Sequence, residues 1–549
     1  MADDPKENFL YYGDNLDILR RYIEDESVDL VYLDPPFKSQ QDYNVLFAER
    51  NGEQAAAQIK AFEDTWRWDR SAAEAYESVV LLGGKVSDAM SALYKFLGPS
   101  DMMAYLAMMA PRLIELQRVI KRTGWLYLHC DPTASHYLKL LLDAVFGPEN
   151  FRNEIVWRRS QPKGHAVLRF SRAHDTILSY AKTNDAIFYP QYKEHDPEYV
   201  EKFYRFIEEG SGRRYRLDNL ANPNKNRPNL TYEFPPGSGI VRVWRWTEER
   251  MKKAWEDGLV VQTREGGVVS QKRYLDEMDG TLITDFWDDI EHLHGSHHEA
   301  LGYPTQKPEG LLERIIQAST ADDALVLDPF CGCGTTIAVA EKLHRQWIGI
   351  DITHLAISLM RHRLDDSFGD QAIYKVIGEP VSLPDAEELA QTDPYQFQWW
   401  ALGLVGARPA EGKKGADKGI DGRLMFFVEN GKPEQIIFSV KAGNVTVSHV
   451  RDLVGVVQRE KAAIGVLISM HEPTAPMRAE AASAGSYISK ELGNPRYPKI
   501  QLLTIQDLLN GRRVDSPHSV RSSERNTTFK KAPVVKKKKK EDKKQAKLM

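Results

Sequence analysis

The stretch that decides the fold is DALVLDPFCGCGTTIAVAEKLHRQWIGIDIT, which runs from Asp323 to Thr353. An apolar run leads into a glycine-rich turn, a helical pattern and a second apolar run that ends at Asp351. This order of strand, turn, helix and strand is typical of α/β folds with a parallel sheet. Gly332 and Gly334 would let the backbone of the turn approach a ligand closely.

The acid at the end of the second strand indicates what that ligand is. A carboxylate at the position of Asp351 can accept both hydroxyls of a ribose. Thr335 and Thr336 stand where a phosphate-binding loop would need lysine and a hydroxyl residue, which favours a nucleoside without phosphates. Cys331 and Cys333 form one C-x-C pair with no second pair, so two small residues are a better interpretation than a metal site.

A second stretch, VDLVYLDPPF from Val28 to Phe37, ends a strand in an acid, two prolines and an aromatic. Asp34 would therefore lie in the crevice where parallel sheets bind ligands. The prolines lack N–H groups, so the Asp34 carboxylate and the Pro35 carbonyl could accept both hydrogens of an exocyclic amino group. Phe37 could stack on the attached ring. A simple strand-ending turn capped by the acid remains the alternative.

These motifs together resemble the amino-methylating DNA methyltransferases. DPPF is similar to their catalytic tetrapeptide, DPFCGCGTT to their S-adenosylmethionine motif, and YPTQKP (Tyr303 to Pro308) to the segment before it. With the catalytic motif first, the order is that of the permuted beta class, shared with type III modification subunits. Further similar segments, which extend the resemblance over residues 8 to 365, are YYGDNLDIL, GWLYLHCD, FGPENFRNEIVWRR, HDTILSYAKT and GTLITDFWDDI.

The resemblance implies a role for each matching residue. The residues that would hold a flipped base are Asp34, Pro35, Pro36 and Phe37. Those that would bind S-adenosylmethionine are Asp14, Lys307, Asp328, Pro329, Phe330, Gly332, Gly334, Thr335 and Asp351, with Asp14 beside the adenine and Lys307 near the methionine carboxylate. An acid before the two prolines favours adenine N6 as the target. Cytosine N4, RNA, a glutamine side chain, and a DNA-binding regulator with relic sites remain alternatives.

A second resemblance lies in the block from KKGADKGIDG to AIGVLIS. It is similar to Mrr-like PD-(D/E)xK nucleases, which implies that Asp421 and Lys441 belong to a Mg²⁺ site with Lys441 near the attacking water. Ser439 stands where that family has Glu or Gln, and serine is a weaker Mg²⁺ ligand. A nuclease and a degenerate DNA-binding module therefore both remain open, and Asp417 could supply a missing carboxylate.

The predicted fold class is α/β: a Rossmann-like S-adenosylmethionine-dependent methyltransferase fold with an inserted target-recognition region, plus a C-terminal α/β restriction-endonuclease-like domain. The predicted parts are the methyltransferase catalytic part (1–184), the target-recognition region (185–299), the cofactor-binding part (300–378), a linker (379–393), the nuclease-like domain (394–510) and a disordered basic tail (511–549). In the recognition region, the candidate DNA contacts are Arg213, Arg214, Arg216, Lys225, Arg227, Trp244 and Trp246, and core packing is the alternative for both tryptophans.

Composition sets the wider limits. The chain of 549 residues has 42% hydrophobic and 28% charged residues, which is ordinary for a globular protein of several domains. Three cysteines and the absence of a secretory signal or a long apolar run indicate a cytoplasmic protein with no membrane partner. Ten lysines follow Arg525, so the tail could be a solvated end or a tether to nucleic acid. Expected partners are double-stranded DNA, a restriction or modification subunit, and a second copy of the chain.

Overall fold

The computed structural model describes residues 7–36, 68–160, 170–264, 266–294, 297–301, 303, 305–410, 419–427, 433–489, 494–517 and 532–535. Phe37 and Asp417 lie outside these ranges, so their predicted roles stay predictions. The contacts divide the chain into two compact units, one formed by Met1–Tyr189 with Asp285–Met549 and the other by Pro190–Thr284. Among the described residues, no helix has both the length and the apolar composition needed to cross a bilayer.

The elements follow one another in a largely alternating order. The first part contains β1 (Asn8–Tyr12), α1 (Asn15–Tyr22), β2 (Val28–Leu33), α2 (Arg70–Leu82), α3 (Gly84–Leu97), α4 (Asp101–Val119), β3 (Ile120–Cys130), α5 (Ser135–Phe146), β4 (Phe151–Arg158) and β5 (His174–Ala181). The middle part contains β6 (Tyr192–Lys193), α6 (Pro197–Phe203), β7 (Phe206–Ile207), β8 (Arg214–Asn219), β9 (Thr231–Glu233), β10 (Val241–Val243), α7 (Glu248–Glu256), β11 (Val260–Gln262), β12 (Val269–Tyr274) and β13 (Thr281–Leu282). The chain then forms β14 (Phe286–Trp287), α8 (Glu309–Ser319), β15 (Leu325–Asp328), α9 (Thr335–Lys342), β16 (Gln346–Asp351), α10 (His354–Phe368) and β17 (Tyr374–Ile377). The last part contains α11 (Leu383–Thr392), α12 (Pro394–Leu404), β18 (Arg408–Pro409), β19 (Gly422–Phe427), β20 (Pro433–Lys441), α13 (Val447–Arg459), β21 (Ile464–Ser469), α14 (Ala475–Ser483), β22 (Ser486–Ile488), β23 (Arg496–Pro498), β24 (Ile500–Thr504) and α15 (Ile505–Leu509).

The main sheet joins the two separated parts of the predicted methyltransferase. Within the described residues it has nine strands in the order β14-β4-β5-β3-β2-β15-β16-β1-β17. Every strand except β5 runs in the same direction. Leu30 of β2 pairs with Val326 of β15, so the strand of the proline turn is the direct neighbour of the strand of the glycine turn. The predicted Rossmann-like α/β fold is confirmed.

The sheet is buried because its strands are apolar on both sides, as parallel strands usually are. Val31 and Leu327, which pair across β2 and β15, lie in one core with buried residues of α1, α4 and α5. The apolar stripe of α4 (Leu106, Met109, Leu113 and Leu116) is fully buried, and the helix begins where the Ser100 hydroxyl accepts from the N–H of Met103. This packing fixes the strand ends that carry the polar side chains.

The unit from Pro190 to Thr284 has a small core of its own. Its described residues form a four-stranded sheet in the order β11-β12-β8-β7 and two short antiparallel pairs, β9 with β10 and β6 with β13. Trp244 is buried and packs with Phe234 and Met251 in this core. The core-packing interpretation of Trp244 is therefore confirmed, because a side chain that supports the unit cannot also act as a wedge in DNA.

The C-terminal block is a second α/β layer structure. Its described residues form a five-stranded sheet in the order β18-β19-β20-β21-β24, with β20, β21 and β24 parallel to one another. Along β20, Ile436 and Phe438 face one core while Ile437 faces another, which is the alternation expected of a strand buried on both sides.

Two predicted boundaries differ from the structure. The predicted linker 379–393 contains α11, which begins with a capping box between Ser382 and Asp385 and buries Ala386 in the C-terminal core. The predicted tail begins later than residue 511, because Val514 is buried in that core and Gln501 bonds to the backbone of Asp515. Both differences arise because short segments with few apolar residues can still dock through one buried side chain.

Candidate active site

The acidic side chains of the candidate site in the first unit lie where neighbouring strands of the main sheet end. Asp34 follows β2, Asp328 ends β15 and Asp351 ends β16, and these three strands are adjacent and parallel. Since the carboxyl ends of parallel strands share one edge of a sheet, the three carboxylates lie at the same edge. Their charges act on one another, because Asp34 and Asp351 both help to raise the pKa of Asp328.

The glycine turn is built for close approach. Gly332 has φ of +49° and Gly334 has φ of +72°, both in the left-handed region that favours glycine. A Cβ atom at Gly332 would stand 3.4 Å from the ring of Tyr303, and one at Gly334 would stand 2.5 Å from Cγ of Met360. The turn therefore lies directly beside Tyr303 of the YPTQKP segment. From the sequence, this segment was linked to the turn only through the family resemblance.

The two acids of the predicted cofactor pocket have different surroundings. Asp351 is partly exposed, and its carboxylate accepts from the N–H groups of Gly332 at 3.0 Å and Thr353 at 2.9 Å. Asp328 is 2% exposed, and burial raises its pKa to about 7 despite hydrogen bonds from Thr336 and the N–H of Phe330. Asp328 thus holds the turn from within, whereas Asp351 is partly open to solvent at the same turn.

Asp34 has a partner that the sequence did not predict. The Nζ atom of Lys307 lies 2.5 Å from Oδ2 of Asp34, and only 11% of the lysine side chain and 19% of the aspartate side chain are exposed. Pro35, which follows, is buried and Pro36 is partly buried. The structure therefore brings the predicted base-binding acid and the predicted cofactor lysine into one ion pair.

Asp14 is held at the same edge by a different cation. It caps α1 by accepting from the N–H of Leu16, and both of its oxygens accept from Nη2 of Arg112, at 3.1 and 2.8 Å. Nε of Arg112 also donates to Asn15, whose own amide donates to the carbonyl of Pro329 at 2.8 Å. Arg112 and Asn15 thus tie the start of α1 to the glycine turn, and the sequence analysis missed both.

A buried polar chain lies behind Asp34 and was also missed. The hydroxyl of Tyr32 is 2.9 Å from Nδ1 of His129, and Nε2 of His129 is 3.2 Å from Asp175, which pairs with Arg159. Burial, followed by the charges of Asp34 and neighbouring acids, raises the pKa of Tyr32 well above its usual value. Burial alone would raise the pKa of Asp175, but the hydrogen bond from His129 and nearby cations lower it. The strand-ending polar residues of GWLYLHCD and HDTIL were the available signal.

The remaining predicted cofactor residues support the turn. Thr335 is buried, and its hydroxyl accepts from Arg363 at 3.0 Å, while Arg363 also donates to the carbonyl of Cys333. Burial raises the pKa of the Cys331 thiol well above its usual value, and Sγ of Cys331 donates to the carbonyl of Ile350. The cysteine side chains therefore act as small packed groups of the turn.

In the Pro190–Thr284 unit, three of the predicted arginines are engaged within the unit itself. Arg213 pairs with Asp276 and Glu277, and Arg216 pairs with Asp218. Arg214 donates to the carbonyl of Tyr204. The other two predicted cations, Lys225 and Arg227, are exposed in a loop.

The predicted C-terminal site gathers around a single carboxylate oxygen. Oδ2 of Asp421 accepts from the hydroxyl of Ser439 at 3.2 Å, from Nζ of Lys441 at 3.2 Å and from the N–H of Val440 at 2.7 Å. Asp421 and Ser439 are buried. A divalent cation needs several oxygen ligands, and here Oδ2 of Asp421 already accepts from three donors, one of them the cationic Lys441.

Comparison with known protein families matches the methyltransferase-like part and the C-terminal block separately. The family model N6_N4_Mtase, described as DNA methylase, matches residues 28–361. A second model, described as NACHT-associated inactive Restriction Endonuclease 1, matches residues 395–510. The C-terminal block is thus similar to a restriction-endonuclease-like family that is described as inactive, and its Mrr-like assignment, like the beta-class assignment, stays a prediction.

Individual relatives cover the first part of the chain. The type II methyltransferase M.EcaI of Enterobacter cloacae is 27% identical over 361 residues, covering 65% of this chain and 69% of that protein. The type III restriction-modification enzyme StyLTI Mod subunit of Salmonella typhimurium is 26% identical over 388 residues, covering 68% of this chain and 55% of that protein. The chain therefore spans little more than half of the second relative.

Solved structures give a weaker likeness. The PvuII DNA methyltransferase (cytosine-N4-specific) covers 64% of this chain and 85% of its own, with 16% identity and a TM-score of 0.30. The M1.HpyAVI complex with S-adenosylmethionine covers 65% and 98%, with 15% identity and a TM-score of 0.29. Such scores support no argument, so the fold rests on the strand order described above.

Proposed function

The chain belongs to the N6_N4 DNA methylase family, and from that premise we propose that it methylates the N6 amino group of an adenine in double-stranded DNA, at a specific sequence. The base would have to leave the duplex stack, because its amino group cannot be reached by the Asp34 edge inside a helix. The observation that carries the proposal is the position of Asp34 beside the glycine turn, at the ends of adjacent strands β2 and β15.

The residues present fit S-adenosylmethionine as the methyl donor. The left-handed φ values of Gly332 and Gly334 form a tight turn whose backbone is not shielded by side chains of its own, and Asp351 beside it offers an acceptor suited to ribose hydroxyls. We propose that this pocket is completed by Asp14, Asp328, Pro329, Phe330, Gly332, Gly334 and Thr335. The resemblance also assigns Lys307 to it, and in the structure Lys307 is paired with Asp34. When bound, S-adenosylmethionine supplies a methyl group on a sulfonium, which is already activated toward an amine.

The chain's own residues would mainly orient the amino group. The lone pair of an aromatic amine is delocalised into the ring, so the nitrogen must become pyramidal and positive as the new bond forms. The Asp34 carboxylate and the Pro35 carbonyl are acceptors that would favour this state over the planar ground state. In the balanced reaction, the nitrogen gains one carbon and loses one proton, and we propose Asp34 as the nearest acceptor that passes this proton to water.

The proposal is tested by incubating duplex DNA with the protein and S-adenosylmethionine that carries a deuterated methyl group. Mass analysis of the nucleosides should find the label on N6-methyladenine, whereas a label on N4-methylcytosine would favour the alternative base. The Asp34→Ala variant should bind S-adenosylmethionine with unchanged affinity and lose transfer, because Asp34 holds the base and not the cofactor. A wild-type protein that binds the cofactor but labels no nucleoside would support the regulatory alternative.

For the C-terminal domain we propose a DNA-binding role without cleavage. Oδ2 of Asp421 already accepts from Lys441, Ser439 and the N–H of Val440, and the described residues of this cluster include no second carboxylate to complete a Mg²⁺ site. Supercoiled unmethylated DNA should therefore stay intact with the protein and Mg²⁺. Nicked or linear product that is lost in Asp421→Ala would instead establish the methyltransferase–nuclease alternative.

The partner proposals follow from the relatives. One relative is named as the Mod subunit of a restriction-modification enzyme, and we propose that this chain likewise works beside a restriction subunit. Co-purification of the full-length chain with the products of neighbouring genes would test that partner, and sedimentation would test the proposed homodimer.

A further inference from the structure

The ion pair between Lys307 and Asp34 joins two motifs that the sequence assigned to different ligands. Nζ of Lys307 lies 2.5 Å from Oδ2 of Asp34 and 3.4 Å from the carbonyl of Thr305. Both side chains are largely shielded from water, with 11% and 19% exposed. A charge-assisted hydrogen bond in such surroundings is short and strong compared with one between neutral groups.

The segment that carries Lys307 is tied down on both sides. The amide of Gln306 donates to the carbonyl of Glu299 and its oxygen accepts from the N–H of Leu301. The N–H of Glu309, at the start of α8, donates to the carboxylate of Glu299. Lys307 is therefore presented from a braced loop, whereas Asp34 stands at a strand end beside a proline turn. These hydrogen bonds hold the backbone on both sides of Lys307, so we treat the lysine as the residue that orients its partner.

We propose that Lys307 is a positioning residue of the base pocket, an inference that rests on the proposed function. Its ammonium holds Oδ2 of Asp34, which would leave Oδ1 to act together with the carbonyl of the next residue, Pro35. The two acceptors are then set for the two hydrogens of one amino group. Without the lysine, a shielded carboxylate with no partner would turn toward water, and the amino group would lose one of its two acceptors.

This role differs from the one that the family resemblance implied for Lys307, which is to bind the methionine carboxylate of the cofactor. The two roles predict different losses. A lysine that binds the cofactor determines the affinity for S-adenosylmethionine. A lysine that orients Asp34 determines the rate of transfer when the cofactor is saturating, and it leaves cofactor affinity almost unchanged.

The experiment compares Lys307→Met, Lys307→Arg and a control, Lys139→Met, in the full chain. Lys139 forms a comparable, partly exposed pair with Asp143 on α5, with 28% and 25% of the side chains exposed. Three quantities are measured: the dissociation constant for S-adenosylmethionine by calorimetry, the fluorescence of 2-aminopurine placed next to the target adenine, and the single-turnover rate of methyl transfer at saturating cofactor.

We expect Lys307→Met to keep the dissociation constant within about twofold, to reduce the 2-aminopurine signal and to slow transfer about 100-fold or more, since misplacement of a reacting group by 1 Å has effects of that size. Lys307→Arg should recover most of the rate, because it restores the charge and the donors. Lys139→Met should behave like the wild type. A dissociation constant raised more than tenfold with an unchanged saturated rate would overturn the inference and return Lys307 to the cofactor.

A second measurement is independent of transfer. The urea midpoints of Asp34→Asn, Lys307→Met and the double variant should be strongly non-additive, since the two side chains contact each other. Additive midpoints would overturn the inference even if the enzyme is active. Failure of the proposed function looks different, because wild-type protein would then label no nucleoside while the coupling between Asp34 and Lys307 persists.

Discussion

Replacing Gly334 by alanine tests whether the glycine turn is as closely packed as described. The left-handed φ of +72° costs a residue with a Cβ roughly 1–2 kcal/mol. The added methyl would also stand 2.5 Å from Cγ and 3.0 Å from Sδ of Met360, which is fully buried and cannot move into water. Overpacking of this kind costs about 1–3 kcal/mol, so the total expected loss in the free energy of unfolding is about 2–5 kcal/mol.

The chain supplies a matched control for the backbone part of this loss. Gly84 has the same φ of +72°, but a Cβ there would meet nothing within 4 Å. Gly84→Ala should therefore lower the free energy of unfolding by only about 1–2 kcal/mol. In the double variant Gly334→Ala/Met360→Ala, the steric part should vanish, which makes the two substitutions less damaging together than their separate losses predict.

Native-state hydrogen exchange of peptides from β15 and β16, read by mass spectrometry, measures these losses in the domain that contains both glycines. Calorimetry with S-adenosylmethionine should in addition show weaker binding for Gly334→Ala, since the turn that carries Gly332 must shift. The reasoning would be refuted if Gly334→Ala were no more destabilising than Gly84→Ala. It would equally fail if removal of the Met360 side chain brought no relief.

Two further predictions concern buried polar groups. Because the pKa of Asp328 is raised to about 7, the folded chain keeps a proton that the unfolded chain releases. This residue's contribution to the free energy of unfolding therefore falls by about 2 kcal/mol from pH 5.5 to about pH 8 and is flat above that pH. Asp328→Asn should lack this slope in urea titrations at each pH, and an unchanged slope would contradict the reasoning. His129→Leu leaves the Tyr32 hydroxyl and a buried Asp175 oxygen without their partner, so it should lower the free energy of unfolding by about 3 kcal/mol. Tyr32→Phe removes only one of these hydrogen bonds and should cost about 1 kcal/mol, measured by the same hydrogen exchange. Equal losses would show that His129 does not bridge Tyr32 and Asp175.

The sequence predicted the parts of the fold that depend on local pattern. The glycine turn, the acid at the end of β16 and the acid after β2 were all visible because each follows a short apolar run. That Asp34 and the glycine turn share one sheet edge could be expected from the parallel-strand rule. The direct pairing of β2 with β15 then brought them side by side.

Long-range polar contacts could not be predicted in the same way. The partner of Asp34 is 273 positions away, and nothing in YPTQKP indicates whether its lysine points to a cofactor or to a strand end. The contacts of Arg112 with Asp14 and of His129 with Asp175 likewise depend on which helices and strands become neighbours. Similarly, a connector such as Glu379–Asp393 contains too few apolar residues to reveal that it is helical and docked.

The pairing of β2 with β15 also has a consequence for how the protein is made. Leu30 leaves the ribosome long before its neighbour Val326 exists, so the centre of the sheet stays open during most of synthesis. At translation speeds of about 5–20 residues per second, the nascent chain waits roughly 15–60 seconds for β15 and β16. During that time the apolar strand β2 lacks its neighbour β15, so we expect a chaperone to bind the growing chain. A host would therefore receive no methylating activity from an interrupted translation product.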